Sequence, residues 1–428
     1  TRNVKTTPTV YHVPKDGTLR PRVKYNKVAL PGDEHIEVSR LVAINCETGD
    51  IQEADYRNVP TTRNGFGFFS SSMGWWATDS HRAYFIDLER GYKKVRVVEF
   101  DTATGTTRTL FEEISKTHIN LMLNNDERPS FVSLPETNEL LWFSERTGWA
   151  HLYLYDLETG ELKNVVTQGE WLVREVVHVD LPRREVFVQT AGRECGRDPY
   201  YRDLCRINLD TSEIITLASS DHDYWAVGQK NMNTFLAVAY GHDAGAACGV
   251  SPSGNYAAIT RARADEVPVT QLVDRRSEVV LEVELADISG LPDNWQWPEP
   301  VKLLAADKTT DIYGLIFRPS DFVEEKSYPV VCHVFATPEV PFVSKGSFCN
   351  GTALGWAYLE AAALAELGFI VLQLDTRGTP CRHKAFHDES YGWAESACNL
   401  DDYISGVQQL SKHRSYLDLS RVGITSHS

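Results

Sequence analysis

A short polar turn recurs at nearly constant spacing through the first two thirds of this sequence. Its copies start at Asn45 ("NCETG"), Asp101 ("DTATG"), Asp156 ("DLETG") and, in a weaker form, Asp210 ("DTSE"), at intervals of 56, 55 and 54 residues. Each copy follows a run of β-forming residues and precedes another apolar run. Asp or Asn at the head of such a turn bonds its own backbone, and glycine at its end supplies a positive φ. Each copy therefore predicts a β-hairpin with a type I turn and a glycine bulge.

A repeat of this length with one hairpin per unit favours a β-propeller with roughly one blade per period. A further unit is predicted from "GVSPSGNYAAIT" (249–260) and "VTQLVDRRSEVVLEVEL" (269–285). We therefore expect about five blades in residues 1–287 and, because such propellers usually close with more, an N-terminal part that precedes Thr1. A large β-sandwich is the alternative, but it gives no reason for a fixed period.

The pattern changes after "ISGLPDNWQWPEP" (288–300). Strand-like runs "DIYGLIFRP" and "YPVVCHVFA" come first, and helix-like segments then alternate with continuous apolar runs of the kind that strands buried on both faces need. In chain order these are a helix over 353–368 that ends at Gly368, a strand over 369–375, a helix over about 394–412 and a buried strand over 421–425. This alternation predicts a doubly wound, mostly parallel α/β sheet.

The sequence closes on "RVGITSHS" (421–428), in which the last predicted strand runs into a tight turn of small residues. In α/β-hydrolases such a turn, the nucleophile elbow, holds a serine hydroxyl above the sheet beside backbone N–H groups that can receive an oxyanion. Crowding requires a small residue two positions before the serine, and Ser426 fills that position for Ser428. The pattern makes Ser428 a candidate nucleophile in a turn of this kind.

Composition limits the functions that are open to the chain. A net charge of −16 repels phosphate backbones, so nucleic acid is a poor partner, whereas the protonated amino ends of peptides would be attracted. No run approaches the roughly 18 apolar residues of a membrane span. No Cys-x-x-Cys occurs, and "HKAFH" lacks the glutamate of a metalloprotease, so a structural or surface role is expected for His383 and His387, with no metal and no cofactor.

Six motifs, taken in order, resemble the dipeptidyl peptidase IV branch of the prolyl oligopeptidase family. They are "SERTGWAHLYLYD", "VSPSGNYAAIT", "DIYGLIFRPSDF", "YPVV…FATP", "DTRGTPCRHKAFH" and "RVGITSHS", and together they cover nearly the whole chain. The resemblance implies an N-terminal β-propeller, residues 1–287, joined to a C-terminal α/β-hydrolase domain, of which residues 288–428 are the N-terminal part, ending at the nucleophile elbow. It further implies a serine exopeptidase that removes short peptides from peptide N-termini through an acyl-enzyme, with Ser428 at the nucleophile position.

Three positions around the implied site depart from the family pattern. Ser426 and Thr376 stand where the family has glycine. Phe335, in "FATP", stands where the family has a tyrosine whose phenol helps to hold the oxyanion. Phenylalanine has no hydroxyl, and losing one such donor costs on the order of 3 kcal/mol, a few hundredfold in rate. The resemblance therefore marks Phe335 as an oxyanion-hole position without its donor and implies lowered or altered activity.

The family's amino-end clamp, a pair of glutamates, has no clear counterpart in the sequence. Glu112-Glu113 in "LFEEISK" and Glu324-Glu325 in "FVEEKSYP" both lack its local context, so we expect both on the solvated surface. The matching pair is then expected before Thr1, and the substrate-binding residues stay unknown.

The acid and the histidine of the triad follow the serine in chain order in this fold, so both are expected beyond Ser428. A serine without its base is a poor nucleophile, so the fragment alone is expected to be inactive. The resemblance allows a homodimer, and the compartment stays open between cytoplasmic and extracytoplasmic.

Two other functions remain open from the sequence. One is a catalytically impaired homologue that serves as a binding scaffold. The other is a related acyl hydrolase, either an acylaminoacyl peptidase or an esterase. The residues after Ser428 distinguish the impaired homologue from an active peptidase. The residues before Thr1 distinguish the related acyl hydrolase, because an amino-end clamp there implies an exopeptidase.

Overall fold

The computed structural model describes residues 6–12, 22–27, 29–30, 32–60, 73–121, 130–226, 249–335, 338, 340–348, 356–392 and 399–427. The chain divides into two compact units. The first comprises Thr1–Ile119, Leu134–Asn138 and Leu157–Glu161, and the second comprises Asn120–Ser133, Glu139–Asp156 and Leu162–Ser428. The domain boundary between residues 287 and 288 stays a prediction.

The first unit is built from β-strands. In chain order they are β1 (Thr6–His12), β2 (Arg22–Lys27), β3 (Val38–Ser39), β4 (Val42–Ile44), β5 (Ile51–Glu53), β6 (Val59–Pro60), β7 (Gly74–Trp76), β8 (Arg82–Leu88), β9 (Lys94–Asp101) and β10 (Thr107–Ile114). β1 pairs with β2, β3 with β6 and β4 with β5, and β7 to β10 form a four-stranded antiparallel sheet in sequential order.

Three more four-stranded sheets follow. Their strands are β11 (Val132–Leu134), β12 (Glu139–Ser144), β13 (His151–Asp156), β14 (Leu162–Val165), β15 (Leu172–Asp180), β16 (Glu185–Ala191), β17 (Arg202–Asn208), β18 (Ile214–Ala218), β19 (Asp223–Ala226), β20 (Tyr256–Ala262), β21 (Val269–Asp274) and β22 (Val279–Leu285). Each of these three sheets, like the β7–β10 sheet, is a meander of four consecutive strands. Such meanders are the blades of a propeller, so this region is propeller-like, as the repeat predicts.

The recurring turn occupies the same place in each sheet. It joins the third strand to the fourth, and it also joins β4 to β5. At Asp101 the carboxylate accepts the N–H groups of Ala103 at 2.8 Å and Thr104 at 3.1 Å, and Gly105 follows with φ +83°. The hairpin with an Asx head and a left-handed glycine is therefore confirmed.

The fourth copy of the turn is shifted by two residues from its predicted position. Its head is Asn208, not Asp210, because the Asn208 side chain accepts the N–H of Asp210 at 3.0 Å. Ser212, with φ +63°, takes the position that glycine has in the other copies. Without that glycine, the sequence does not indicate where the turn starts. A fifth copy starts at Asp274, which accepts the N–H groups two and four residues ahead.

Adjacent sheets of the second unit pack against each other through apolar side chains and ion pairs. The β15–β18 and β19–β22 sheets share one core, formed by Phe187, Leu204, Leu217, Tyr224, Val250, Ala257, Ile259 and Val273. Arg184, just before β16, reaches buried Glu139 on β12 at 2.5 Å and Asp210 at 2.7 Å. One guanidinium thus ties two neighbouring sheets together.

The last third forms a five-stranded sheet. Its strands are β23 (Glu299–Leu304), β24 (Asp311–Phe317), β25 (Tyr328–Phe335), β26 (Ile370–Asp375) and β27 (Leu417–His427), in the order β23-β24-β26-β25-β27. β25 runs parallel to both β26 and β27, whereas β24 is antiparallel to β23 and β26. The prediction of a mostly parallel sheet therefore holds for the β26–β25–β27 half only, because β23 and β24 form a hairpin around residues 305–310.

Helices α1 (Trp356–Glu366), α2 (Lys384–Asp388) and α3 (Leu400–Ser411) connect these strands. α1 ends as predicted: Gly368 has φ +91° and donates to the carbonyl of Ala365 at 2.8 Å. β26 is buried along its whole length, which confirms the prediction from its apolar run. Among the described residues, no helix has the length and the apolar character that a membrane span needs.

The prediction of a buried strand over residues 421–425 is wrong for this structure. β27 is the edge strand of the sheet, and the side chains of Val422 and Ile424 are 46% and 57% exposed. Burial of an apolar run depends on what lies over it, and nothing in the described chain covers these two residues.

Candidate active site

The carboxyl ends of three parallel strands meet at one edge of the five-stranded sheet. β25 ends at Phe335, β26 at Asp375 and β27 at His427. In the pairing of β25 with β27, Phe335 stands opposite His427. Ser428, the candidate nucleophile, follows directly and lies outside the described residues. Open α/β sheets bind their ligands at this edge, so it is the candidate active site.

Phe335 ends its strand, and its ring is packed against another ring. The ring is stacked on Phe342 with centroids 5.9 Å apart and planes 14° from parallel. Phe342 in turn meets the buried ring of His333 edge-on at 5.0 Å. The two phenyl rings share an apolar cluster with Val340 and Ala357. The role of Phe335 as an oxyanion-hole position stays a prediction.

Asp375, at the end of β26, is a fully buried carboxylate. Its Oδ1 accepts the backbone N–H groups of Phe342 at 2.7 Å and Val343 at 3.0 Å. Its Oδ2 lies 3.4 Å from the ammonium of Lys345. Burial raises the pKa of Asp375, and Lys345 and the two N–H donors oppose that rise. The carboxylate thus holds the segment that follows Phe335.

Lys345 is almost completely buried among polar partners. Its Nζ donates to Asp198 Oδ2 at 3.1 Å and lies 4.5 Å from the centre of the Tyr200 ring. Burial lowers the pKa of this lysine, but Asp198 and Asp375 outweigh the effect and hold the pKa above its usual value. Tyr200, also buried, has its hydroxyl 3.1 Å from Thr379 Oγ1 in the loop after β26.

The loop after β26, "DTRG", is held by a second buried carboxylate. Asp402 on α3 accepts the N–H of Arg377 at 3.0 Å and pairs with its guanidinium at 2.9 Å. Thr376, where the family has glycine, has no positive φ and is buried, so a side chain fits at this position. This departure from the family pattern therefore leaves the local backbone unstrained.

His383 and His387 serve structure, as the sequence predicts. His383 caps α2, accepting the N–H of Phe386 at 3.2 Å. His387 Nε2 lies 2.7 Å from the carbonyl oxygen of Pro338, to which it donates. This contact anchors the start of the segment after Phe335, a role that the sequence pattern did not indicate.

The adjacent glutamate pairs lie at the surface. Glu112 on β10 pairs with Lys94 at 2.7 Å, and Glu324 and Glu325 are exposed in the loop between β24 and β25. Ser426, two residues before the candidate nucleophile, is exposed on the edge strand.

The sequence did not indicate Lys345, Asp198 or Asp375 as a group. Asp198 is 147 residues from Lys345 along the chain, and no local motif links the two. The available signal was Asp375 itself: a charged residue at the end of a mostly apolar, buried strand needs a buried partner.

Two family models match the chain. The model of the dipeptidyl peptidase IV N-terminal region matches residues 2–244, which is more than half of the 428 residues. The model of the prolyl oligopeptidase family matches residues 356–428, which include α1, β26, α3 and β27.

Individual relatives of this chain are named dipeptidyl peptidases. "Dipeptidyl peptidase 8" of Mus musculus is 29% identical over 127 residues, which are 29% of this chain and 14% of that protein. "Probable dipeptidyl peptidase 4" of Neosartorya fischeri is 24% identical over 365 residues, which are 82% of this chain and 42% of that protein. The chain therefore spans less than half the length of either relative.

A solved structure shares the fold. Porphyromonas gingivalis dipeptidyl peptidase 4 superimposes with a TM-score of 0.74 at 17% identity, over 99% of this chain and 53% of that one. The propeller-like N-terminal region and the start of a hydrolase domain are thus both matched.

Proposed function

Because this chain belongs to the dipeptidyl peptidase IV branch of the prolyl oligopeptidase family, we propose that the full-length protein that carries it is a serine exopeptidase. Its substrate is a peptide with a free, protonated N-terminus, from which it releases a dipeptide through an acyl-enzyme. The net charge of −16 supports a cationic substrate end.

The observation that carries the proposal is the parallel register of β25 and β27. This register sets Phe335 opposite His427, and Ser428 is the next residue in the sequence. A serine at that position can attack a carbonyl whose oxygen points toward the N–H groups of the turn. Ser428 is the proposed nucleophile, and in this fold its base and acid follow it in chain order.

The proposed oxyanion hole lacks a side-chain hydroxyl. Phe335 fills the tyrosine position, and its ring can offer no hydrogen bond. Backbone N–H groups, chiefly that of the residue after Ser428, then stabilise the oxyanion alone. The expected enzyme is therefore slow, by on the order of a few hundredfold relative to one with the phenol.

One observation favours the second candidate, a binding scaffold with an impaired site. The Phe335 ring stacks on Phe342 in an apolar cluster, and such packing is by itself a sufficient reason for a phenylalanine at this position. An acylaminoacyl peptidase or an esterase is the third candidate, and its substrates separate it from the first.

Two chromogenic dipeptide amides, identical except for an acetyl group on the N-terminus, test the proposal with the full-length protein. We expect cleavage of the free substrate only, abolished in Ser428→Ala. Equal cleavage of the acetylated substrate would overturn the exopeptidase assignment. No cleavage of either substrate by a folded protein would favour the binding scaffold.

A further inference from the structure

A buried ion cluster includes Asp375, the residue that ends β26 at the candidate active site. It consists of Lys345, Asp198 and Asp375, whose side chains are 8%, 17% and 0% exposed. Two carboxylates face one ammonium, at 3.1 Å and 3.4 Å. Moving charges out of water costs several kcal/mol per ion, and stability alone is a weak reason to keep them.

The cluster acts on the backbone of one segment. Asp375 accepts the N–H groups of Phe342 and Val343. The ammonium of Lys345, two residues after Val343, forms an ion pair with the same carboxylate. The segment is therefore clamped at both sides of Ser344 by one carboxylate. A charged acceptor makes stronger hydrogen bonds than a neutral one, so these N–H contacts depend on the ionised form.

The clamped segment carries the ring that sets the position of Phe335. Phe342 is buried, stacks on Phe335 at 5.9 Å, and is fixed from the other side by the His333 ring at 5.0 Å. A shift of the Phe342 backbone would therefore move Phe335 at the end of β25. Misplacement of about 1 Å at a reacting centre can cost on the order of a hundredfold in rate.

The third member of the cluster comes from the propeller-like region. Asp198 lies in the connection between β16 and β17, and two residues later Tyr200 places its ring under the Lys345 ammonium. Thr379 donates to the carbonyl of Thr376, so the Tyr200 hydroxyl is the donor to Thr379. A hairpin of the β15–β18 sheet thus contacts both loops that border the strand ends.

We propose that Lys345 and Asp375 are positioning residues for the active site, and that Asp198 links their placement to the propeller-like region. They hold the segment from Val340 to Lys345, and through Phe342 they fix Phe335 beside the strand end that leads to Ser428. This inference rests on the proposed function for its effect on catalysis, whereas the clamp on the segment can be measured without any activity.

The experiment compares Asp375→Asn with Asp402→Asn in the full-length protein. Asp402 is a closely matched control: it is also fully buried, accepts the N–H groups of Ala306 and Arg377, and pairs with a cation, but it holds a different loop. Amide hydrogen exchange is read by mass spectrometry on peptides that cover residues 340–348. Steady-state kinetics on the free dipeptide amide supply kcat and KM.

In Asp375→Asn, the amides of Phe342 and Val343 should exchange at least about tenfold faster, while Asp402→Asn should leave them protected even if it lowers the melting temperature as much. We expect kcat to fall about ten- to hundredfold in Asp375→Asn with KM within about twofold. Lys345→Met should reproduce both effects. Lys345→Arg, which keeps the positive charge, should lose less protection and less kcat than Lys345→Met. If Asp375→Asn does not fold, Lys345→Met and the milder Asp198→Asn carry the same readouts.

Unchanged exchange at Phe342 and Val343 in these variants would overturn the clamp. Faster exchange with unchanged kcat would overturn the link to the active site. A wild-type protein without peptidase activity would refute the proposed function and the catalytic part of the inference, while the exchange data would still decide the clamp.

Discussion

Replacing Gly160 by alanine should weaken the first compact unit more than the same replacement at Gly49. Both glycines end a copy of the recurring turn, with φ +78° and +77°. An L-residue in this conformation costs roughly 1–2 kcal/mol, and both variants carry that cost. A Cβ on Gly160 would in addition lie 2.5 Å from the carbonyl oxygen of Leu110, whereas a Cβ on Gly49 would meet nothing within 4 Å.

Relief of that contact must move backbone, and overpacking of this kind costs about 1–3 kcal/mol. Gly160→Ala should therefore lower the free energy of unfolding by about 2–5 kcal/mol, and Gly49→Ala by about 1–2 kcal/mol. Urea unfolding followed by tryptophan fluorescence measures both values. Equal losses would show that the turn at Gly160 does not approach β10, and no loss in either would refute the left-handed glycines themselves.

Phe335→Tyr in the full-length protein should raise kcat/KM by roughly ten- to several hundredfold by restoring a donor to the oxyanion, and no gain in an active enzyme would mean that another group already fills this place. Arg184→Met should cost about 1–3 kcal/mol in urea unfolding because it leaves buried Glu139 with less compensation, and adding Glu139→Gln should recover part of that loss; a double variant as unstable as the sum of the singles would contradict it. Iodoacetamide at about pH 8 should alkylate exposed Cys46 in the native protein and leave Cys332 unmodified, because burial raises the pKa of Cys332 to about 11; modification of both at the same rate by peptide mass spectrometry would count against the fold.

The recurring turn was predictable because its signal is local. An Asp or Asn head and a left-handed end residue lie within a few positions of each other, so the sequence indicates both. The register failed at Asn208, where Ser212 adopts a positive φ and no glycine marks the end of the turn. A serine in that conformation is costly and uncommon, so sequence gives little warning of it.

Four of the five strands of the last third were predicted from the sequence, but the surroundings of the last one were not. β26 is buried along its whole length, whereas Val422 and Ile424 of β27 are exposed because no described residue covers them. An apolar run reports a tendency to be buried, and its neighbours in the fold decide the outcome. β23 was not predicted, and the antiparallel direction of β24 was missed, because strand direction is set by pairing between strands and not by the local sequence.

The sequence indicated individual residues of the candidate site but not the contacts between them. The strand end and tight turn in "SHS" indicated Ser428 from a local pattern, whereas "FATP" indicated Phe335 only through the family resemblance; both roles stay predictions. The contacts that hold these strand ends in place, from Asp198 to Lys345 and from His387 to Pro338, join residues that are far apart in sequence. Single-sequence patterns carry no signal for such pairs.

The central claim, that Ser428 is the nucleophile of a serine peptidase, is tested most directly by a fluorophosphonate probe on the full-length protein. Such probes react with a serine only when a neighbouring base activates it. The account predicts one adduct, localised by peptide mass spectrometry to Ser428 and absent from the Ser428→Ala variant. A folded protein that takes up no probe, or an adduct on a different serine that persists in Ser428→Ala, would contradict it.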